Sequence, residues 1–315
     1  MNISNIIKCQ RAHICRGLWT WIQKHPHVRL LLFTQIPSIY TKLRYFNTFG
    51  VPLSYSQPND FHEKLFWLSV YWRNPLIVKC ADKYKVREYL VECGCGDILN
   101  ELYFVYDDIS GIDFKDLPEK FVMKSNRGSG NNYFCTDKTK ITEKDLFNAI
   151  YNWPSIIYGV GSAEYQYMKM PFKLICEKYI MEEGQELLEY QLFCFNGEPD
   201  SFLVRNDLET AGKNPFAVSY SLDWQRRYYR YNEDNFNFEL PKPQNFQKML
   251  DYAKKLAKPF PHVRVDFYEI DGKLIFGELT FTTHGNVFSN YKPEVLKMWG
   301  DKLQLPPKYK DRDAY

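Results

Sequence analysis

The stretch that most constrains the fold is HVRVDFYEIDGKLIFGELTF, residues 262 to 281. Two runs rich in β-formers flank Asp271-Gly272, a strong turn signal. Val263, Val265, Phe267, Ile275, Leu279 and Phe281 occupy odd positions and are apolar. Arg264, Asp266, Glu278, Thr280 and Thr282 are even and polar. This period-2 alternation reads as strands with one buried face and one face free for function. Side chains directly opposite in an antiparallel pair share a face, so a two-residue loop would pair odd with even and split the pattern. A three-residue loop, Ile270-Asp271-Gly272 with Gly272 left-handed, keeps it whole and predicts a bulged turn. Arg264, Asp266, Glu278 and Thr280 then share one face. Two carboxylates beside an arginine and a hydroxyl suit Mg²⁺ and a triphosphate, with a plain solvated sheet face as the alternative.

At 315 residues the chain has room for one large domain or two intimate ones. A hydrophobic fraction of 45% and a charged fraction of 25% are ordinary for a soluble globular protein. Aromatic residues make up 17%, which either a ring-stacking surface or well-filled β cores would explain. A net charge of +3 is too small to point to nucleic acid as a partner. The charge is unevenly placed, however. Residues 1 to 50 hold seven of the 41 bases and no acid, leaving 34 bases against all 38 acids in the remainder. Eight scattered cysteines without a CxxC make no zinc framework and fit a reducing cytoplasm. The longest aliphatic run near the N-terminus is Leu30 to Phe33, so neither a transmembrane helix nor a secretory signal is expected. Residues 1 to 50 read either as a peripheral helix on an anionic membrane face or as a helical extension packed on the main domain.

Pro58-Asn59-Asp60 opens a helix. Asp60 can cap it, Glu63 stands at the capping-box position, and Phe61, Leu65, Leu68 and Trp72 recur at helical spacing. A second helix starts at Asp82 and stops near Gly94, with Val86 and Leu90 inward, and Gly96 to Pro118 mixes strand and loop. KFVMK, SNRGSGN and NYFC, over residues 120 to 135, read as strand, glycine loop and strand. Thr142 with Asp145 caps a short helix to about Tyr151, and FKLICEKYI is a strand ending in the polar loop MEEGQE. LEYQLFCF, Asn196-Gly197 and PDSFLVR form another hairpin. Residues 207 to 243 are loop-rich, with one strand near Val218. Residues 244 to 258 form a helix with Phe246, Met249, Leu250, Ala253, Leu256 and Ala257 on one face. Few helices among many antiparallel strands argue for an α+β fold.

Lys124 ends a strand and leads into Ser-Asn-Arg-Gly-Ser-Gly. Backbone amides of such a loop can cradle phosphate oxygens, which a lysine neutralises as a point charge. No Gly-Lys-Ser/Thr follows, so this is not a Walker A loop, and a plain hairpin turn would also explain the triplet. Glu177-Lys178-Tyr179-Ile180 stands at a strand end before Glu182, Glu183 and Gln185. An edge backbone there could read an adenine while a carboxylate takes ribose hydroxyls; an ordinary exposed strand terminus is the alternative. His284 could deprotonate an amine or be a hydrogen-bonded loop histidine. Arg205 could bind an acceptor carboxylate or form a surface salt bridge. Cys176 and Cys194 alternate with strand residues and read as core.

In chain order, then, come an Asp-Lys pair opening a helix, a strand lysine with a glycine loop, an EKYI hinge, and Asp266 followed by Glu278-x-Thr280. That order resembles the ATP-grasp superfamily. DFHEKLFWLSVYWRNPLIVKCADKYKVREYL, LPEKFVMKSNRGSGNN, LEYQLFCFNGEP and RVDFYEIDGKLIFGELTF are similar to the TupA-like ATP-grasp family, over roughly residues 55 to 307. That family is associated with bacterial teichuronopeptide, capsule and related surface-polysaccharide synthesis. The resemblance implies an α+β ATP-grasp fold that holds its nucleotide between two antiparallel-sheet subdomains, with a helical N-terminal extension. Residues 1–54 would be that basic aromatic extension, 55–308 the ATP-grasp domain and 309–315 a tail. Within the domain, 55–118 would be the N-terminal part, 119–200 the glycine-loop and adenine-hinge subdomain, and 201–308 the metal-binding subdomain.

The resemblance further implies ATP and Mg²⁺ as cofactors. Lys83 and Lys124 would hold the phosphates, with Gly128, Ser129 and Gly130 closing over them. Glu177 and Ile180 would line the adenine pocket, and Glu183 would contact the ribose. Asp266 and Glu278 would ligate Mg²⁺, with Thr280 as third ligand where many ATP-grasp enzymes have Asn. Thr280 through His284-Gly285-Asn286 would shape the acceptor side. Catalysis would fall to Arg264 and Lys124, which stabilise charge on the transferred phosphoryl group. The implied reaction is attack of a carboxylate on the γ-phosphate, giving an acyl phosphate and ADP, after which an amine displaces phosphate to leave an amide. The implied partners are a sugar acid or polysaccharide precursor and an amine or amino acid, in the cytoplasm. Two readings compete. One is a glycosyltransferase, whose metal-binding Asp-x-Asp occurs only as Asp311-Arg312-Asp313. The other is a non-catalytic scaffold of the same fold.

Overall fold

A computed structural model describes residues 3–155, 157–181, 187–206 and 215–309. The chain opens with three helices, α1 (Ile3–Lys24), α2 (Pro26–Gln35) and α3 (Pro37–Phe49). Proline stands in the first turn of α2 and α3, where its missing N–H costs nothing. Phe33 stacks on Tyr165 at 4.1 Å, and the Tyr40 hydroxyl donates to the Val160 carbonyl at 2.5 Å. These helices are therefore an extension packed on the body of the protein.

Helix α4 (Phe61–Tyr71) starts where the Asp60 carboxylate accepts from the Glu63 amide at 2.9 Å. Glu63 reaches back to the Asn59 amide instead of completing a capping box on Asp60. A short helix that the sequence reading missed, α5 (Pro75–Ala81), follows, capped by Asn74. Helix α6 (Val86–Glu92) begins later than expected, because Asp82 caps a turn through the Tyr84 and Lys85 amides.

Two antiparallel sheets come next. The smaller contains β1 (Leu102–Tyr106), β2 (Phe121–Ser125), β3 (Asn132–Cys135) and, after helix α7 (Glu143–Ile150), β4 (Leu174–Lys178), in the order β1-β4-β2-β3. Leu146 and Ile150 of α7 pack on Phe121, Met123, Leu174 and Cys176. The larger contains β5 (Leu188–Phe195), β6 (Glu198–Asn206), β7 (Ala217–Ser221), β8 (Arg226–Arg227), β9 (His262–Ile270) and β10 (Lys273–Thr280), in the order β10-β9-β5-β6-β7-β8. The expected α+β architecture is present.

Helix α8 (Phe246–Ala257) covers one face of the large sheet. Its Met249, Ala253, Leu256 and Ala257 are buried with Val263, Val265, Phe267, Leu192 and Val204. On the other face, α4 and helix α9 (Pro293–Lys302) cover only one end, where Phe61, Leu65 and Trp299 pack on Phe193 and Phe195. The uncovered end of that face meets the small sheet.

The β9–β10 hairpin corrects the predicted turn. Ile270 pairs directly with Lys273, so the loop has two residues, and Asp271 and Gly272 are both left-handed at φ 50° and 71°. These are the signs of a type I′ turn. Parity is restored further along β10, where the register shifts between Phe276 and Leu279. Before the shift Phe276 pairs with Phe267, and after it Leu279 pairs with Val265 and Thr280 with Arg264. The extra residue therefore sits at Gly277-Glu278 and not in the turn. Ile275, expected in the core, faces the same side as its partner Tyr268, while Leu274 and Phe276 are buried.

Candidate active site

Between the sheets lies a cleft of 370 Å³, a size suited to a small-molecule site. Lys124 and Glu177 reach it from the small sheet, Gly128, Ser129 and Gly130 from the loop after β2, and Tyr179 and Ile180 from the chain leaving β4. Lys83 enters from the turn before α6 and Arg87 from α6 itself, and Glu189, Arg205, Tyr268, Ile275 and Glu278 from the large sheet. Arg264, Asp266 and Thr280 adjoin Glu278. Glu183 lies outside the described residues, as does Asp311-Arg312-Asp313. The cationic lining groups Lys83, Arg87, Lys124, Lys178 and Arg205 outnumber the carboxylates Glu177, Glu189 and Glu278. That excess favours a polyanionic ligand.

The glycine loop is held from below by Asn126, which is wholly buried. Its side-chain amide donates to Asp82 Oδ2 at 2.9 Å and to the Pro171 carbonyl at 3.0 Å, and its Oδ1 accepts from the Lys173 amide at 2.9 Å. The Lys83 amide in turn donates to the Asn126 carbonyl at 2.9 Å. This ties the start of α6 to the loop. Lys83 Nζ then donates to the Gly128 carbonyl at 2.6 Å and lies 3.6 Å from Glu278 Oε2, spanning the cleft. Gly128 has φ +72°, and a Cβ there would fall 2.2 Å from the Tyr158 ring, so only glycine fits. Lys124 Nζ lies 3.0 Å from Glu177 Oε2, and Arg87 lies 3.3 Å from Glu177 Oε1. Glu177 thus holds two cations at the small-sheet wall.

On the large sheet, Asp266 is wholly buried and accepts from Arg264 through both oxygens, at 2.7 and 2.5 Å. Burial pushes the Asp266 carboxyl up to about 7, against the pull of Arg264. For Arg264 itself burial works to lower the pKa and Asp266 overrides it, so the guanidinium stays charged. Thr280 Oγ1 donates to Glu278 Oε1 at 2.7 Å and accepts from Arg264 at 3.1 Å. Burial works to raise the Glu278 carboxyl, but Lys83 and Arg264 outweigh it and hold it below its usual range. Glu189 is buried and 2.8 Å from Arg205, and burial raises its carboxyl. His284 stands beside this group with φ 51°; burial, followed by the fields of Arg264, Arg230 and Arg205, lowers its pKa to about 4.

The oxygen-only donor set of Glu278, Thr280 and Asp266 suits a hard divalent cation. Glu278 faces the cleft and could take such an ion with Thr280 beside it. Asp266 is engaged on both oxygens by Arg264, so to serve as a direct ligand it needs that arginine to turn aside. Among the described residues no three His, Cys, Asp or Glu side chains converge on a metal position.

Arg87 and Glu189 are cleft residues that the sequence reading did not single out. Glu189 carried a signal, because Glu189 and Gln191 are the alternating polar positions of the apolar run LEYQLFCF. Arg87 carried none beyond being a base on a helix.

Several solved structures are similar to this chain. One is a D-alanine--D-alanine ligase from Bacillus anthracis, with 15% identity, a TM-score of 0.44, and coverage of 70% of this chain and 63% of that one. A second is the ATP-grasp ligase PsnB complexed with minimal precursor, with 11% identity, a TM-score of 0.40, and 70% and 59% coverage. A third is an L-amino acid ligase from Bacillus licheniformis, with 12% identity, a TM-score of 0.40, and 66% and 44% coverage. The chain spans less than two thirds of the length of each of these. No curated protein matches it. The sequence model of TupA-like ATP-grasp proteins matches residues 63–304, a span that takes in both sheets and the cleft between them and leaves out α1 to α3. The chain belongs to the TupA-like ATP-grasp family.

Proposed function

We propose that this chain is an ATP-dependent ligase that joins a carboxylate to an amine. The observation that carries the reading is the cationic cleft in which Lys83 links the glycine loop to Glu278, with Lys124 on the opposite wall. The two lysines and the loop amides would hold the phosphates of ATP, which is a substrate of the reaction. The substrate carboxylate forms an O–P bond to the γ-phosphorus as the bond to ADP breaks. The amine nitrogen then forms the C–N bond as the C–O bond to phosphate breaks, and its proton passes to solvent. Arg264 would stabilise the charge that develops at both steps. A bound Mg²⁺, held by Glu278 and Thr280, would screen the phosphate charge. Family membership supports a sugar acid or other precursor of a bacterial surface polysaccharide as the carboxylate, with an amine or amino acid as acceptor.

The test is thermal unfolding with and without MgATP, in wild type, Lys124→Ala and Glu278→Gln. Ligand at about 100 times its Kd stabilises by about 2.7 kcal/mol, a shift of roughly 4 °C for a chain this size. The expected result is a magnesium-dependent shift that both variants lose, followed by phosphate release when uronic acids and amines are supplied together. A chain that binds UDP-sugars and not ATP would overturn the reading.

A further inference from the structure

The extension carries a face that the rest of the chain does not use. In α1, Ile14, Leu18 and Trp21 recur at i, i+4 and i+7 and so form one stripe along the helix. Their exposures are 69%, 43% and 48%, high for large apolar side chains. The inward side of the extension already has its partner, since Ile22, Phe33 and Tyr40 are buried and Phe33 and Tyr40 pack on Val160, Ala163 and Tyr165. Leu31, Ile36 and Ile39 of the following helices are exposed as well.

Charge decides what would cover this stripe. The first acidic residue of the whole sequence is Asp60, so the seven bases of the extension stand with no carboxylate among them. Lys24, three residues beyond Trp21 on α1 and so at the edge of the stripe, is exposed. The remainder of the chain carries the opposite balance, 34 bases against 38 acids. Apolar side chains and a tryptophan on one line, set in an acid-free basic segment, match the boundary between anionic headgroups and acyl chains. Among the described residues no helix is long and apolar enough to cross a membrane, so α1 would lie in the plane of the surface.

We propose that α1 docks this protein on an anionic phospholipid surface, with Ile14, Leu18 and Trp21 entering the interface and Lys24, at the edge of the stripe, meeting the headgroups. The ligase reading is not needed for this, and the docking residues lie outside the cleft.

The test is co-sedimentation of the full chain with sucrose-loaded vesicles, either phosphatidylcholine alone or with one third phosphatidylglycerol. The expected result is binding to the mixed vesicles, about tenfold weaker on neutral ones, that falls steeply between 50 and 500 mM salt as the charges are screened. Leu18→Ser with Trp21→Ser should weaken binding at least tenfold and Lys24→Glu severalfold, while each leaves thermal stability and the MgATP shift as in wild type. Equal partition onto neutral vesicles would overturn the proposal, as would unchanged binding by either variant. Concentration-dependent dimers that the serine variant abolishes, without vesicle binding, would instead assign the stripe to a second copy of the chain.

Discussion

Replacing His262 with phenylalanine removes a titrating group from the interior and keeps a ring of similar shape. His262 is 3% exposed, stacks on Phe195 at 5.1 Å and meets the edge of Phe61 at 5.1 Å. Its Nδ1–H donates to the Cys194 carbonyl at 2.9 Å, while Nε2 is buried without a partner. Protonation would place a second N–H where nothing receives it, and burial lowers the pKa from 6.5 to about 4. The folded pKa lies below the unfolded one, so between these values the unfolded chain binds a proton that the folded chain refuses. Stability from this group is therefore full above pH 6.5 and is lost as pH falls toward 4. At 1.36 kcal/mol per pKa unit the loss is about 1.4 kcal/mol at pH 5.5 and about 2.5 kcal/mol at pH 4.5. His262→Phe escapes that loss, but it leaves the Cys194 carbonyl unpaired at a cost of about 1–3 kcal/mol at every pH. The variant should be the weaker protein at pH 7.5, and the gap should close by about 2.5 kcal/mol at pH 4.5. Urea unfolding followed by fluorescence at four pH values, compared at unchanged m, measures this directly. His62, whose pKa burial also lowers, is present in both proteins and cancels. Two stability curves that stay parallel to within about 0.5 kcal/mol from pH 7.5 to 4.5 would refute the reasoning.

Two further outcomes probe the glycine loop. Gly128→Ala brings a Cβ to 2.2 Å from the Tyr158 ring at φ +72°, costing about 1–2 kcal/mol in backbone strain. It should weaken ATP about tenfold in a titration, and Tyr158→Ala in the same chain should restore part of the loss, whereas purely additive effects would exclude the steric cause. Asn126→Ala strips partners from Asp82 and from the Lys173 amide in a fully buried position. A destabilisation of about 2–4 kcal/mol is expected by denaturant unfolding, with a lower MgATP affinity than the stability loss alone would produce.

The cleft was legible because its chemistry sits at strand ends and loops. Lys124 before a glycine loop, and Asp266 with Glu278 on alternating strands, keep their meaning without tertiary information. What was not legible depends on what meets across the fold. Glu177 reads as a nucleotide contact in EKYI and does line the cleft, but its ion pairs with Lys124 and Arg87, which come from β2 and α6, could not be read from the strand alone. Asp266 reads as a metal ligand, yet the pleat places Arg264 beside it on the same strand face, and the pair closes on itself. Helix α5 was missed because PLIVKCA is too short to show a helical period. The bulge did have a signal: Gly277 is an isolated glycine inside a strand pattern, the usual mark of an extra residue.

That bulge also divides the cleft floor in two. On its turn side Tyr268 and Ile275 stand opposite each other and present rings and methyls. Beyond it the same face carries Asp266 and Glu278, then Arg264 and Thr280. A ligand laid along the hairpin would cross from an oily half to an ionic half at Gly277, within the length of one strand. The border is placed by a single inserted residue and not by the strand's composition. Moving the insertion one position along β10 would shift it by about 3.4 Å. It would also turn Glu278 away from the cleft while leaving the amino-acid content of the hairpin unchanged.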